Sequence, residues 1–359
     1  MGKGISVFMG MNYSLEENLN LIRTAGKLGI DRVFTSMHIP EADYDEILRG
    51  LEKVIEEAKK FNMEIIGDIS PKGLKLLGLE CMDFSKFKAI GIDVIRLDFG
   101  FSSQEIAAYT NNKEGVRIEI NASTLRTDTF RELERYEANF DNLQGCHNYY
   151  PQKHTALDEN LLLEKNRLLK ERKVKISGFI PSLVGKRGPL YDGLPTLEDH
   201  RYKDPYVSAK HLFALGVDNV FFGDSMPSGI ELENFAAVSE DTIELRINKI
   251  IDSNLVDRYL NDNIFNNRID YPRDIIRGEN SGTILKGQVV KPENTIGREK
   301  GCVTLNNKDY LRYMGELQIV KNPLEADSRV NVIGKIKEED LFLLKYIKGQ
   351  TKFKFKVID

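Results

Sequence analysis

Acidic, amide and phenolic side chains recur at the ends of short apolar runs in this 359-residue chain: Asp68, Asp98, Glu119, Asn121, Asn148, Tyr150 and Asp224, with Arg96 two residues before Asp98. Carboxylates in different surroundings can divide a reaction, one donating a proton while the other attacks or activates water, which is the chemistry of glycoside hydrolysis. Arg96 would hold Asp98 ionised, as a nucleophile or stabiliser requires. Glu119, between Ile118 and Ile120, is less solvated and better suited to donate, although the two roles can be exchanged. Asp98 and Glu119 are therefore the catalytic candidates, and Asp68, Arg96, Asn121, Asn148, Tyr150 and Asp224 are candidates for holding substrate. A single Asp at a strand end is more often a helix cap or turn former. Several acidic tips converging on one face are harder to explain that way.

Residues 145–151, Gly-Cys-His-Asn-Tyr-Tyr-Pro, form the densest polar and aromatic stretch and suit a saccharide, whose rings offer apolar faces and hydroxyl edges. If Asn148 faces inward, His147 alternates outward to pack on a helix, and adjacency in a strand points Cys146 and His147 apart, against a Cys/His nucleophile. The long segment 181–204 carries Lys186, Arg187, Gly188, Tyr191, Asp192, Gly193, His200 and Arg201 and reads as a lid or specificity loop. Lys186 and Arg187 beside a glycine suit a phosphate. His38, His147, His154 and His200 lack paired metal-ligand spacing, so no metal or other cofactor is implied.

The elements that must place these groups are eight β-branched or aromatic runs, at 5–9, 32–37, 64–69, 94–99, 117–121, 146–150, 174–180 and 219–223. Segments of helical period alternate with them. Ser14 and Glu17 have capping-box spacing before Leu19, Ile22, Ala25 and Leu28, and 44–61 buries Ile47, Leu51, Val54, Ile55 and Ala58 on one side. Further helices are expected near 83–89, 102–110, 127–140, 155–171, 206–215 and 232–238. Eight strands alternating with helices predict an α/β fold, a (β/α)8 TIM barrel with its chemistry at the strand C-termini. Period-two alternation then groups Arg96 with Asp98, and Arg117 with Glu119 and Asn121.

Beyond a possible helix at 254–262 the pattern changes to short strands, at 284–290, 301–305, 317–320 and 329–333, split by turns such as Asn280-Ser281-Gly282 and Asn322-Pro323. A small all-β domain over 241–359, after a barrel over 1–240, is the expected organisation. At 41% hydrophobic and 30% charged the chain can form two cores, and its net charge of −4 without a basic block argues against nucleic acid or a membrane surface as partner. Three dispersed cysteines fit a reducing compartment, and the start lacks a secretory signal, so the cytoplasm is expected.

Ile-Ser-Val-Phe-Met-Gly-Met-Asn-Tyr at 5–13 is followed by Phe-Thr-Ser-Met-His-Ile-Pro at 34–40 and Gly-Asp-Ile-Ser at 67–70. Arg-Leu-Asp-Phe-Gly at 96–100, Glu-Ile-Asn-Ala-Ser at 119–123, His-Asn-Tyr-Tyr-Pro at 147–151 and Gly-Asp-Ser at 223–225 complete the series. Together these blocks resemble the bacterial 6-phospho-N-acetylmuramidase family, formerly called outer surface proteins, and the similarity runs through nearly the whole chain. The resemblance implies a TIM barrel joined to a cyclophilin-like domain. It also implies a cytoplasmic glycosidase that removes N-acetylmuramic acid 6-phosphate from a cell-wall disaccharide and releases N-acetylglucosamine. A phosphorylated amino-sugar disaccharide is then the small-molecule partner, with homo-oligomerisation left open and Arg298 of the second domain a further substrate-binding candidate. Two other classes compete: a barrel lyase, isomerase or metal-dependent hydrolase acting on a phosphorylated small molecule, and a carbohydrate-binding protein without turnover. A Schiff-base aldolase would need an inward lysine, and only Lys175, at the wrong end of its strand, is available.

Overall fold

The computed structural model describes residues 1–36, 44–76, 79–261 and 263–358; Met37, His38 and Asp262 therefore lie outside the described residues. Contacts divide the chain into two units, Met1–Val238 and Ser239–Asp359.

In the first unit, eight parallel strands pair in sequence order and close through β1 against β8: β1 (Gly2–Val7), β2 (Arg32–Ser36), β3 (Glu64–Ile69), β4 (Val94–Leu97), β5 (Arg117–Asn121), β6 (Leu143–Cys146), β7 (Lys175–Ile180) and β8 (Asn219–Phe222). Each expected run touches a strand, with one displacement that matters. The run 146–150 overlaps β6 only at Cys146, and its other residues form the loop beyond the strand. Gln144 and Gly145 gave this strand a poor β signature, but a Cβ at Gly145 would sit 3.0 Å from the Leu169 side chain, so glycine leaves room for that side chain to pack on the strand. β4 likewise ends at Leu97, which puts Asp98 one residue past the strand.

The helices are α1 (Leu15–Lys27), α2 (Tyr44–Lys59), α3 (Pro71–Leu76), α4 (Phe84–Ile90), α5 (Ser103–Thr110), α6 (Thr127–Arg135), α7 (Glu159–Lys170), α8 (Pro205–Ala214) and α9 (Gly229–Ala236). Ser14 and Glu17 form the expected capping box on α1, and Ser102 with Glu105 and Ser228 with Glu231 repeat it on α5 and α9. Such caps satisfy amides that a helix leaves unpaired and contribute about 1 kcal/mol each. α6 stops at Arg135, short of the expected 140, where Glu137 takes a positive φ; α7 begins four residues later than expected, after its Asp158 cap.

Alternation along the strands sorts the side chains. Phe34, Ile66, Val94, Cys146, Phe179 and Phe221 meet Phe8 in the barrel interior, with Tyr149 and Met11 packed on them. Edge contacts such as Phe34 with Phe179, at 5.2 Å between centroids, fill the space. Val33, Ile65, Ile95, Ile118 and Val220 occupy the opposite parity and are also fully buried, as the helix-covered face of such a barrel demands. At the strand N-termini Glu64 pairs with both Arg32 and Arg117, so the end away from the C-terminal tips is closed by ion pairs.

In the second unit, helix α10 (Asn254–Asn261) accompanies β9 (Ile243–Lys249), β10 (Ile264–Asn266), β11 (Ile275–Arg277), β12 (Cys302–Asn306), β13 (Leu317–Val320), β14 (Val330–Ile336) and β15 (Lys352–Val357). They form one sheet in the order β10-β15-β9-β14-β12-β13-β11, antiparallel except where β15 meets β9. The expected strand at 284–290 is not one: Ser281–Leu285 is a 3-10 turn bracketed by Asn280 and Lys286 in left-handed conformation. Among the described residues no helix is long and apolar enough to cross a membrane.

Candidate active site

Arg96 organises the C-terminal mouth of the barrel. Strand register aligns Ser36, Asp68, Arg96, Glu119 and Gln144 in one row across β2 to β6, and strand tilt makes that row descend: Ser36 ends its strand, whereas Gln144 is the second residue of its own. Arg96 Nη1 donates to Asp68 Oδ1 at 2.7 Å and Asp98 Oδ1 at 3.2 Å, and Nη2 donates to Asn148 Oδ1 at 2.6 Å. Two oxygens bound to one nitrogen at those lengths lie within about 6 Å of each other, so Arg96 draws the Asp68 and Asp98 carboxylates together. Glu119 Oε1 is 4.0 Å from Arg96 Nε, and Glu119 Oε2 accepts from Gln144 Nε2 at 2.5 Å.

Three carboxylates thus share one guanidinium at different depths. The Asp98 side chain is 28% exposed, Asp68 7% and Glu119 1%. The strand-tip reading set Asp98 and Glu119 level with each other; in the closed barrel Glu119 is the middle residue of β5 and forms the floor beneath Arg96. Burial raises the Glu119 carboxyl above the usual carboxylate range, against the opposing pull of Arg96 and the Gln144 hydrogen bond. Burial also works against the charge of Arg96, but Asp68 first, and then Asp98 and Glu119, hold the guanidinium above its ordinary value.

Asn121 and the loop after β6 complete the wall. Asn121 is half-buried and its Oδ1 accepts from Ser123 N, capping the 3-10 turn Ala122–Thr124. Asn148 and Tyr150 are half-buried, and burial raises the Tyr150 phenol. A cleft lined by Asp98, Phe99, Phe101, Asn121, Thr124 and Thr129 among others opens beside Asp98.

The segment 181–204 after β7 is tied down from both sides. Asp224, fully buried past the end of β8, accepts from the backbone amides of Ser182, Arg187 and Leu194 at 2.9, 3.0 and 3.2 Å. This employs Asp224 as a loop anchor, not as a wall of the cup. Arg201, also fully buried, grips Glu198 with two nitrogens at 2.6 and 2.7 Å and donates to the carbonyls of Tyr150, Gln152 and Gly193. It staples the loop after β6 to the loop after β7. Gly185 makes the crossing possible, since a Cβ there would be 1.6 Å from the Met226 carbonyl oxygen.

The anchored loop sends Arg187 into the mouth. Its guanidinium stacks 4.5 Å from the centre of Phe8 and 5.0 Å from Tyr149, and Nη1 donates to the Tyr149 hydroxyl at 3.0 Å. Arg187 is 9% exposed, yet its Nε has no hydrogen bond and its guanidinium has no carboxylate partner among the described residues. Lys186 turns instead over the Tyr202 ring, at 5.3 Å. Tyr149 escaped the candidate set because its strand parity, counted through a displaced β6, gave it no inward role. Arg298 belongs to the second unit, where its Nε donates to the Glu325 carbonyl, and Lys175 opens β7 as an exposed residue at the far end from Arg96. No group of three or more His, Cys, Asp or Glu among the described residues is arranged to hold a metal ion.

A closed (β/α)8 barrel whose strand ends gather carboxylates around one arginine, with a second cation held at the mouth, has the build of a barrel enzyme acting on a polar substrate. The chain belongs to the 6-phospho-N-acetylmuramidase family, a family of glycosidases: the family's N-terminal part matches residues 3–237 and its C-terminal part residues 243–356. Among solved structures it is similar to an uncharacterized B. cereus protein, with 31% identity over 99% of both chains and a TM-score of 0.84. It is also similar to a conserved Enterococcus faecalis protein of unknown function, with 32% identity over 99% of this chain and 96% of that one and a TM-score of 0.69. No curated protein matches the chain.

Proposed function

We propose that the protein cleaves N-acetylmuramic acid 6-phosphate from a cell-wall disaccharide, releasing N-acetylglucosamine, with Asp98 and Glu119 as its paired carboxylates. The observation that carries this reading is the sharing of Arg96 by carboxylates in unlike surroundings. Burial keeps Glu119 protonated to higher pH and so able to give a proton. Asp98, more open and bonded to Arg96, is the group that meets the anomeric carbon or the water attacking it. Because Glu119 lies at the floor, its proton reaches the leaving oxygen through one bridging water, a reach compatible with general acid catalysis. Asp68 holds Arg96 from the far side and orients it.

Arg187 is the anion-holding residue of this reading. A buried guanidinium with an open Nε and two aromatic supports offers the planar fork that phosphate accepts. The enzyme's place is the cytoplasm, in keeping with a phosphorylated substrate and three free cysteines. We read its C-terminal domain as cyclophilin-like in fold, a likeness that by itself assigns it no activity. The test incubates purified protein with the phosphorylated disaccharide and its unphosphorylated counterpart. Cleavage confined to the phosphorylated compound supports the reading, and cleavage of neither defeats it.

A further inference from the structure

His147 is fully buried and points outward to α7, yet it sits next to Asn148, whose amide oxygen holds Arg96. The hydrogen bonds around its ring have a definite direction. Asn166 of α7 donates through Nδ2 to the Leu215 carbonyl at 3.2 Å, which turns its Oδ1 toward His147 Nε2 at 2.8 Å. An amide oxygen only accepts, so Nε2 carries the ring proton and Nδ1 presents a lone pair. The Ser123 hydroxyl, 3.3 Å from Nδ1, therefore donates to it, and the Ser123 oxygen accepts the Asn148 backbone N–H at 2.9 Å. Asn148 Oδ1 then accepts from Arg96 Nη2, and Arg96 Nη1 donates to Asp68 and Asp98.

We propose that Asn166, His147 and Ser123 are positioning residues, a directed chain of hydrogen bonds that fixes the loop after β6 and, through Asn148, the orientation of the Arg96 guanidinium between its carboxylates. Its kinetic consequence rests on the glycosidase reading, but the chain itself does not. The ring is suited to the task because it stays neutral: burial lowers its pKa to about 4, opposed only by the Asn166 hydrogen bond. The groups facing it are Ser123 from the 3-10 turn, Asn166 from α7 and the neighbouring Cys146 of β6, whose thiol donates to the His147 carbonyl. No charged side chain among the described residues shifts the ring. A second proton, on Nδ1, would make the ring a donor to the Ser123 oxygen, reversing that hydrogen bond and freeing the Ser123 O–H, and so end the directed chain.

Three measurements test this. In the wild-type protein without substrate, ¹⁵N NMR of the imidazole is expected to show the neutral, Nε2-protonated tautomer between about pH 6 and 8. Asn166→Asp sets a carboxylate against Nε2 and favours the imidazolium, so the acid limb of kcat should move up by about one pH unit or more, with the rate recovered at higher pH and KM changed less than about threefold. Ser123→Ala should lower kcat about tenfold with KM unchanged, and Ser123→Thr, which keeps the hydroxyl, should restore it. An Nδ1-protonated ring, an unmoved acid limb in Asn166→Asp, or wild-type kcat in Ser123→Ala would overturn the proposal. Should the wild-type protein leave the disaccharide intact, the glycosidase reading fails, and the tautomer alone sustains or overturns the chain.

Discussion

Arg96 is the residue on which the site turns, and its burial sets the cost of losing it. Arg96→Met would leave Asp68, Asp98 and Glu119 facing one another without their shared cation, so a loss of about 3 to 5 kcal/mol in a urea titration is expected, together with loss of hydrolysis. Arg187 is a different case, because no carboxylate among the described residues depends on it. Arg187→Met should raise KM for the phosphorylated disaccharide about a hundredfold while shifting Tm by only a few degrees, as steady-state kinetics and a thermal melt would show. An unchanged KM would remove Arg187 from phosphate recognition. Arg96 and its acidic neighbours were legible in sequence because period-two spacing groups residues 96 and 98. The depth of Glu119 was not, since depth depends on how far each strand has slid past its neighbour, and alternation within one strand carries no record of that.

At the scale of elements, the loop 181–204 is held by buried polar anchors together with the buried side chains of Leu194 and Leu197. Gly185→Ala forces a Cβ onto the Met226 carbonyl and should both lower Tm and raise KM, because the displaced loop carries Arg187 with it. Asp224→Asn should do the same more mildly, one oxygen being replaced by a donor that faces backbone N–H groups. Equal KM in both variants and wild type, measured on the phosphorylated disaccharide, would separate the loop from substrate binding. The length and polarity of this loop marked it in sequence, but its anchors did not, because Asp224 and Arg201 act on backbone atoms of residues distant along the chain. β6 was misplaced for a local reason: Gln144-Gly145 weakens the strand signal, and the aromatic residues that follow imitate one. In the second unit, β10 and β11 are three residues long and too short to register a period, whereas the alternating lysines and apolar residues of β15 were readable and passed over.

For the molecule as a whole, buried neutral histidines link stability to pH. His147 falls from an ordinary 6.5 to about 4 through burial, and His200 is likewise held well below its ordinary value by burial and the nearby His211, whose Nδ1 lies 2.9 Å away. A depressed histidine pKa means that the unfolded chain binds protons more readily than the folded one. The stabilisation is therefore complete above about pH 6.5 and is lost as pH falls toward 4, by about 3 kcal/mol for His147 alone. Urea midpoints taken across that window should fall with pH in the wild type and less steeply in His147→Gln; parallel slopes would contradict the assignment. The barrel itself was the most legible feature of the chain, because eight strands and their helices each repeat a strong local pattern. The family blocks all fall within the barrel half, between residues 5 and 225. Contacts that join distant segments, such as Asn166 with His147 or Arg187 with Tyr149, leave no periodic trace and emerge only when the barrel closes.

The most direct test of the account is the turnover of phosphorylated disaccharide by wild type, Asp98→Asn and Glu119→Gln, with thermal melts run beside each assay. If paired carboxylates around Arg96 perform the hydrolysis, wild type cleaves the substrate and each amide variant loses at least about a thousandfold in kcat while keeping its fold. Asp98→Asn turning over at the wild-type rate would contradict it.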